Sequence, residues 1–159
     1  MSHNRSFRWS DEQRTITLRT HRSTRLAVQI LRNKGLPIRQ LQKVLGSERM
    51  RNVLGEHGKK LRMKVLGDVM NYQHELLRDL YDLSVPELER IRSAALDAGA
   101  YGVKISGAGL GGSLVALVDS MESGQRIVEA AGSAGAKQGW TSTVGQAARI
   151  ERGRTPFDS

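Results

Sequence analysis

Ala98-Gly-Ala-Tyr-Gly-Val-Lys-Ile-Ser-Gly-Ala-Gly-Leu-Gly-Gly-Ser-Leu-Val-Ala-Leu-Val118 runs from an extended segment through a glycine loop into a second extended segment. Tyr101–Ile105 alternates apolar and polar residues, the period of a strand. Gly107–Gly112 holds four glycines in six residues. A plain hairpin turn needs only two residues. Glycine at this density permits positive φ and lets backbone amides approach an anion closely. Ser113–Val118 then reads as a second strand, more buried than the first because it is almost wholly apolar.

Two familiar phosphate loops fit poorly. Gly107-x-Gly-x-x-Gly112 matches the spacing of a dinucleotide fingerprint. That fingerprint requires a helix after the last glycine and several βα units, and only 47 residues follow Gly112. A nucleotide-triphosphate P-loop requires Gly-Lys-Ser/Thr at its end, and here Ser113 and Leu114 follow Gly112.

Upstream, the pattern is helical. Leu26, Ile30 and Leu31 share a face of a helix over 24–31, stopped by Gly35 and Pro37. Arg14–Arg19 alternates and suggests a short strand. A helix over 38–45 shows Leu41, Val44 and Leu45, and the next segment shows Met50, Val53 and Leu54. The longest helical stretch, 58–80, repeats Leu61, Val65, Val69, Leu76 and Leu80, with Gly67-Asp68 expected to break or kink it. Ser84-Val-Pro-Glu87 reads as a capping box. Leu88, Ile91, Ala95 and Leu96 form the buried face that follows, and Leu88, Ile91 and Leu96 are expected to pack on Val103, Ile105, Val115 and Leu117. Gly99 ends that helix. Downstream, 123–136 is helical, and Trp140–Val144 with Ala147–Glu151 brackets a hairpin signal at Gly145-Gln146. The order implies an α+β fold with helices packed on a small antiparallel sheet.

Composition narrows the function classes. The chain has 159 residues and no cysteine, so disulfide scaffolds and thiolate metal sites are excluded. The first residues carry no apolar leader pattern, and no apolar run reaches membrane-spanning length. Residues 1–64 hold sixteen Lys and Arg against four acids, and residues 65–159 hold nine against twelve, so +12 and −3 give the net +9. A basic first half points to an anionic partner or to a solvated Arg-rich surface. A nucleic-acid-binding module on that half is the alternative of a different class. It has thin support, because only Phe7 and Trp9 offer stacking platforms before Tyr72.

Two longer runs carry a family resemblance: Leu76-Leu-Arg-Asp-Leu-Tyr-Asp-Leu-Ser-Val-Pro-Glu-Leu-Glu89, and the strand–loop–strand segment quoted above. Together they resemble the C-terminal domain of the GHMP kinases (galactokinase, homoserine kinase, mevalonate kinase, phosphomevalonate kinase). Met70-Asn-Tyr-Gln-His-Glu-Leu-Leu-Arg78, followed by Ser84-Val-Pro-Glu-Leu88, is most similar to galactokinases. The resemblance implies a ferredoxin-like domain over 37–159, preceded by a basic segment, 1–36, that is either part of it or an irregular lead-in.

The resemblance also implies an ATP- and Mg2+-dependent phosphorylation of a small-molecule alcohol in the cytoplasm. Galactose is the first expectation, with mevalonate, homoserine or heptose phosphate as sister substrates. The implied phosphate- or substrate-proximal loop is Ser106, Gly107, Ala108, Gly109, Leu110, Gly111, Gly112 and Ser113, with Lys104 and His74 as accessory residues. The family's first two motifs and its catalytic aspartate have no counterpart in residues 1–159. The Gly55-Glu-His57 triplet does not continue into the first of them. Partners implied are therefore a separate N-terminal kinase half or further copies of the chain. No His, Asp or Glu cluster shows metal-ligand spacing.

Overall fold

The computed structural model describes residues 11–32, 35–51, 53, 55–107 and 112–144. Among them are α1 (Asp11–Leu31), α2 (Ile38–Leu45), α3 (Ser47–Arg51), α4 (Gly58–Tyr81), α5 (Pro86–Asp97), β1 (Gly102–Ser106), β2 (Ser113–Leu117) and α6 (Met121–Ser133). The strands form a two-stranded antiparallel sheet with Val103 opposite Ala116 and Ile105 opposite Leu114. The α+β architecture is the one expected.

Two apolar cores lie along the chain. The first joins Leu26 and Ile30 of α1, Leu41 and Leu45 of α2, Met50 of α3, Val53, and Val65 and Val69 of α4. Helix α1 thus packs on α2 and α4 through this core. The second core joins Ala95 of α5, Ala100, Val103 of β1 and Ile127 of α6, with Leu96, Leu114 and Ala116 packed around them.

Helix α4 serves both halves. Val65 and Val69 face the first core, while Gly67, Asn71 and His74 meet β1 and its approach. Two residues turn a helix by about 200°, so these sets lie on opposite sides. A helix buried on two sides does not show a single apolar stripe.

Several sequence expectations are corrected. Arg14–Arg19 is helix, not strand: Ile16 is buried with Ser23, Leu26 and Ile30 at helical spacing, and Leu18 is 54% exposed. A strand would have put Ile16 and Leu18 on the same face. Leu31 points to solvent. Helix α4 runs unbroken through Gly67-Asp68. There, a β-carbon on Gly67 would stand 2.1 Å from the Tyr101 carbonyl oxygen, so the glycine admits the chain entering β1 rather than breaking the helix.

The expected capping box also does not form. Val85 is the N-cap of α5 with no side-chain cap bond, and Pro86 occupies the first turn, where its missing N–H costs nothing. Ser84 Oγ donates instead to Glu89. Strand β2 is less buried than β1, and Val115 is exposed, because β1 lies between α4 and β2. Val115 stands opposite Lys104, on the sheet face away from Val103, Ile105 and the α5 packing.

Trp140–Val144 is irregular. The chain here lies against α6, with Thr141 close to Gly124 and Gly139 close to Val128. Ala147–Glu151 and Leu54 fall outside the described residues. Helix α6 begins as the sequence demands of a capped helix, with Ser120 and Ser123 bonding each other's backbone N–H reciprocally.

Candidate functional site

The glycine loop leaves β1 at Ser106 and returns at Ser113. Those two residues pair directly, and Ser113 Oγ donates to the Ser106 carbonyl at 3.2 Å, which closes the neck of the loop. Gly107 has φ +86°, a left-handed conformation that favours glycine. Ser106, Gly107, Gly112 and Ser113 are exposed. Ala108, Gly109, Leu110 and Gly111 lie outside the described residues. Lys104, on the sheet face opposite the second core, is half-buried and forms no ion pair among the described residues.

The strand leading into the loop is held along its outer edge by side chains. Asn71 Oδ1 accepts from the Val103 N–H at 3.0 Å, and Asn71 Nδ2 donates to the Tyr101 carbonyl at 3.4 Å. Arg92 Nε donates to the Val103 carbonyl at 3.1 Å, and Arg92 Nη2 donates to Asn71 Oδ1 at 3.1 Å. His74 Nδ1 accepts from the Ile105 N–H at 3.3 Å. Backbone groups of an edge strand need partners when buried. Here α4 and α5 supply them in place of a neighbouring strand.

His74 is wholly buried, and its ring is committed on both sides. Nδ1 accepts a backbone N–H, so it carries no proton. Nε2 therefore bears the hydrogen and donates to Glu89 Oε1 at 2.7 Å. Burial, the largest influence, pushes the His74 pKa below its usual value against the pull of Glu89. Burial also acts to raise Glu89, but the hydrogen bonds from Ser84 and His74 outweigh it and hold the carboxyl below the usual range. Arg78 reaches the second Glu89 oxygen at 3.5 Å. The structure thus joins His74 to Ile105, two residues before Gly107. Lys104 projects from the other face of the same strand.

Sequence reasoning found His74 but not its partners. Asn71, Glu89 and Arg92 read as ordinary polar helix residues. The available signal was that Asn71 and His74 stand three apart on α4, on the side opposite Val65 and Val69.

The neutral ring gives a pH prediction. The folded pKa of His74 lies below its value near 6.5 in the unfolded chain, so the unfolded state takes up the proton first as the pH falls. Stability contributed by His74 is present above about pH 6.5 and is lost below it. Asp68, raised by its burial to about 6, works in the opposite direction over roughly pH 4 to 6. The difference between native and variant curves isolates the histidine. His74→Asn is expected to cost about 1–3 kcal/mol at pH 7. It is also expected to flatten the dependence between pH 6.5 and 5 in urea titrations. An unchanged slope would show that His74 is not held neutral.

The family profile described as "GHMP kinases C terminal" matches residues 59–137, from the start of α4 to just beyond α6. A mevalonate kinase of Thermococcus sibiricus is 41% identical over 71 residues, covering 45% of this chain and 21% of that protein. A galactokinase of Canis lupus familiaris is 35% identical over 92 residues, covering 52% and 24%. A galactokinase of Saccharomyces cerevisiae is 39% identical over 69 residues, covering 42% and 13%. Over residues 59–137 the chain belongs to the GHMP kinase C-terminal family. It spans about a fifth to a quarter of the length of the first two relatives.

Proposed function

We propose that this chain supplies the C-terminal part of an ATP- and Mg2+-dependent kinase that phosphorylates a small-molecule alcohol in the cytoplasm. The observation that carries the reading is the family domain itself, with its glycine loop mounted on a strand fixed by Asn71, His74 and Arg92. Galactose is the first substrate proposed, from the likeness of Met70–Leu88 to galactokinases, with mevalonate as the sister candidate.

The residues present fit one part of such a site. An exposed neck with glycine at positive φ allows backbone N–H groups to meet a phosphate or substrate oxygen. Lys104 lies on the strand before the loop and would add positive charge. His74 acts as a positioning residue for Ile105 rather than as a base, because both its ring nitrogens are engaged. Among the described residues no group of three or more potential metal ligands occurs; on this reading Mg2+ is held by the nucleotide phosphates and by the separate N-terminal half. ATP supplies the transferred phosphoryl group, and positioning with charge neutralisation makes up most of catalysis in such transfers.

The reading is tested by reconstitution. Residues 1–159 alone are expected to show no turnover of galactose or mevalonate with Mg2+ and ATP, and only weak ATP affinity at the loop. Mixed with an N-terminal half of a galactokinase or of a mevalonate kinase, the chain is expected to gain ATP-consuming activity. The half and sugar that succeed identify the substrate. Steady turnover by 1–159 alone, or none with either half, would overturn the proposal.

A further inference from the structure

We infer that the cleft between α1, α2 and α4 binds a small organic polyphosphate bearing free hydroxyls, at a site separate from the glycine loop. The inference does not depend on the kinase reading. The cleft has a volume of about 820 Å³, within the range of small-molecule sites. Arg19, Arg22 and Arg25 enter it from α1, and Lys43 enters from α2. Steps of three along a helix bring successive side chains to one side, so α1 presents a row of guanidinium groups.

Among the described residues no acidic side chain lines the cleft. Arg19, Arg22, Arg25 and Lys43 form no ion pair among the described residues. The nearby Glu75 is taken by Arg49 at 2.6 Å. Four like charges gathered without a counter-charge repel one another, and a ligand with several phosphate oxygens relieves this while matching the forked guanidinium geometry.

The second observation names the rest of the ligand. Gln29 lines the same cleft, and its Oε1 is buried with no hydrogen-bond partner. A buried acceptor without a donor is costly. A fully ionised phosphate cannot donate to it, whereas a hydroxyl can. Phosphates for the cations and a hydroxyl for Gln29 describe a nucleotide or a sugar phosphate alike. A nucleic-acid strand fits less well. Among the described residues Tyr72 is the single aromatic lining the cleft, and the Arg49 guanidinium lies 5.9 Å from its ring centroid, so the described residues offer no row of stacking platforms there.

The test is calorimetric titration of the full chain at low salt with tripolyphosphate, with Mg2+-free ATP and with fructose 1,6-bisphosphate. One site is expected. The tighter of the two organic probes shows whether the ligand is nucleotide or sugar phosphate. Arg22→Glu with Arg25→Glu is expected to weaken binding by at least about tenfold, and the Gln pair at the same positions by less. Both arginines are exposed, and circular dichroism checks that the fold persists. Valine at Gly109 and Gly111 is expected to leave this binding unchanged, which separates the cleft from the loop.

Gln29→Ala should remove the advantage of the better organic probe over tripolyphosphate. Equal affinity of all three probes for the native chain would overturn the inference. So would binding indifferent to the arginine substitutions, or no binding at all. A single-stranded RNA that tripolyphosphate cannot displace would overturn it in favour of a nucleic-acid surface.

Discussion

A methyl group placed on Gly67 is expected to destabilise the chain by about 3 kcal/mol or more, a large fraction of the stability of a domain of this size. The added carbon would stand 2.1 Å from the Tyr101 carbonyl oxygen and 2.4 Å from its carbon. These are backbone atoms and cannot rotate away as a side-chain tip could. The contact is reciprocal, because a β-carbon on Gly102 would lie 2.4 Å from the Gly67 carbonyl oxygen. Relief would require β1 to lift from α4, and that movement breaks the bonds from Asn71 and His74 to Val103 and Ile105. Gly132→Ala is the control. Gly132 sits inside α6, where an added β-carbon would meet nothing within 4 Å, so alanine there should stabilise by about 0.5–1 kcal/mol. Urea titration of both variants measures the contrast. A loss below about 1 kcal/mol at Gly67 would mean that helix and strand are not in this contact.

Valine at both Gly109 and Gly111 is expected to reduce activity restored by an N-terminal half by at least about a hundredfold. Two β-branched side chains in a loop of four glycines block close approach of backbone amides to an anion. They also remove any access to positive φ at those positions. The loop is tied at its neck by Ser106 and Ser113, which are exposed and take no part in the core contacts of Val103 and Ile105. Assembly of the two halves, followed by size-exclusion chromatography, is therefore expected to persist. Retained turnover would show that the loop does not touch the reacting groups. Lost assembly would show that it belongs to the interface instead.

Much of this fold was legible because its elements carry their own punctuation. Helix α5 is bounded by Pro86 and by Gly99 at φ +102°, with Leu88 and Ala95 buried between. Helix α2 ends at Gly46, whereas α6, read from Ser123, starts two residues earlier behind its Ser120 cap. The strand–glycine–strand run showed itself by a change of period. What stayed hidden depends on neighbours that a one-dimensional pattern does not contain. Gly67 resembles a helix breaker until Tyr101 is known to press against it. Ile16 and Leu18 alternate over too few residues to tell strand from helix, and only packing with Leu26 and Ile30 decides. Ser84 and Glu87 have the right spacing for a cap, but Ser84 finds Glu89, which His74 and Arg78 also engage. The site divides in the same way. The glycine loop and His74 stand out in the sequence, whereas Asn71, Glu89 and Arg92 become visible once three elements meet.

The side-chain clamp on β1 also gives the sheet a direction of growth. A strand with open amides and carbonyls on its margin can recruit another strand, from its own chain or from a second molecule. With Val103 and Ile105 already bonded to Asn71, Arg92 and His74, that margin cannot template addition. Among the described residues the far side of β2 pairs with no strand, and Val115 on it is exposed. Among the described residues, the free margin at which this sheet can be extended, by another strand or by aggregation when the protein is stressed, is therefore that of β2.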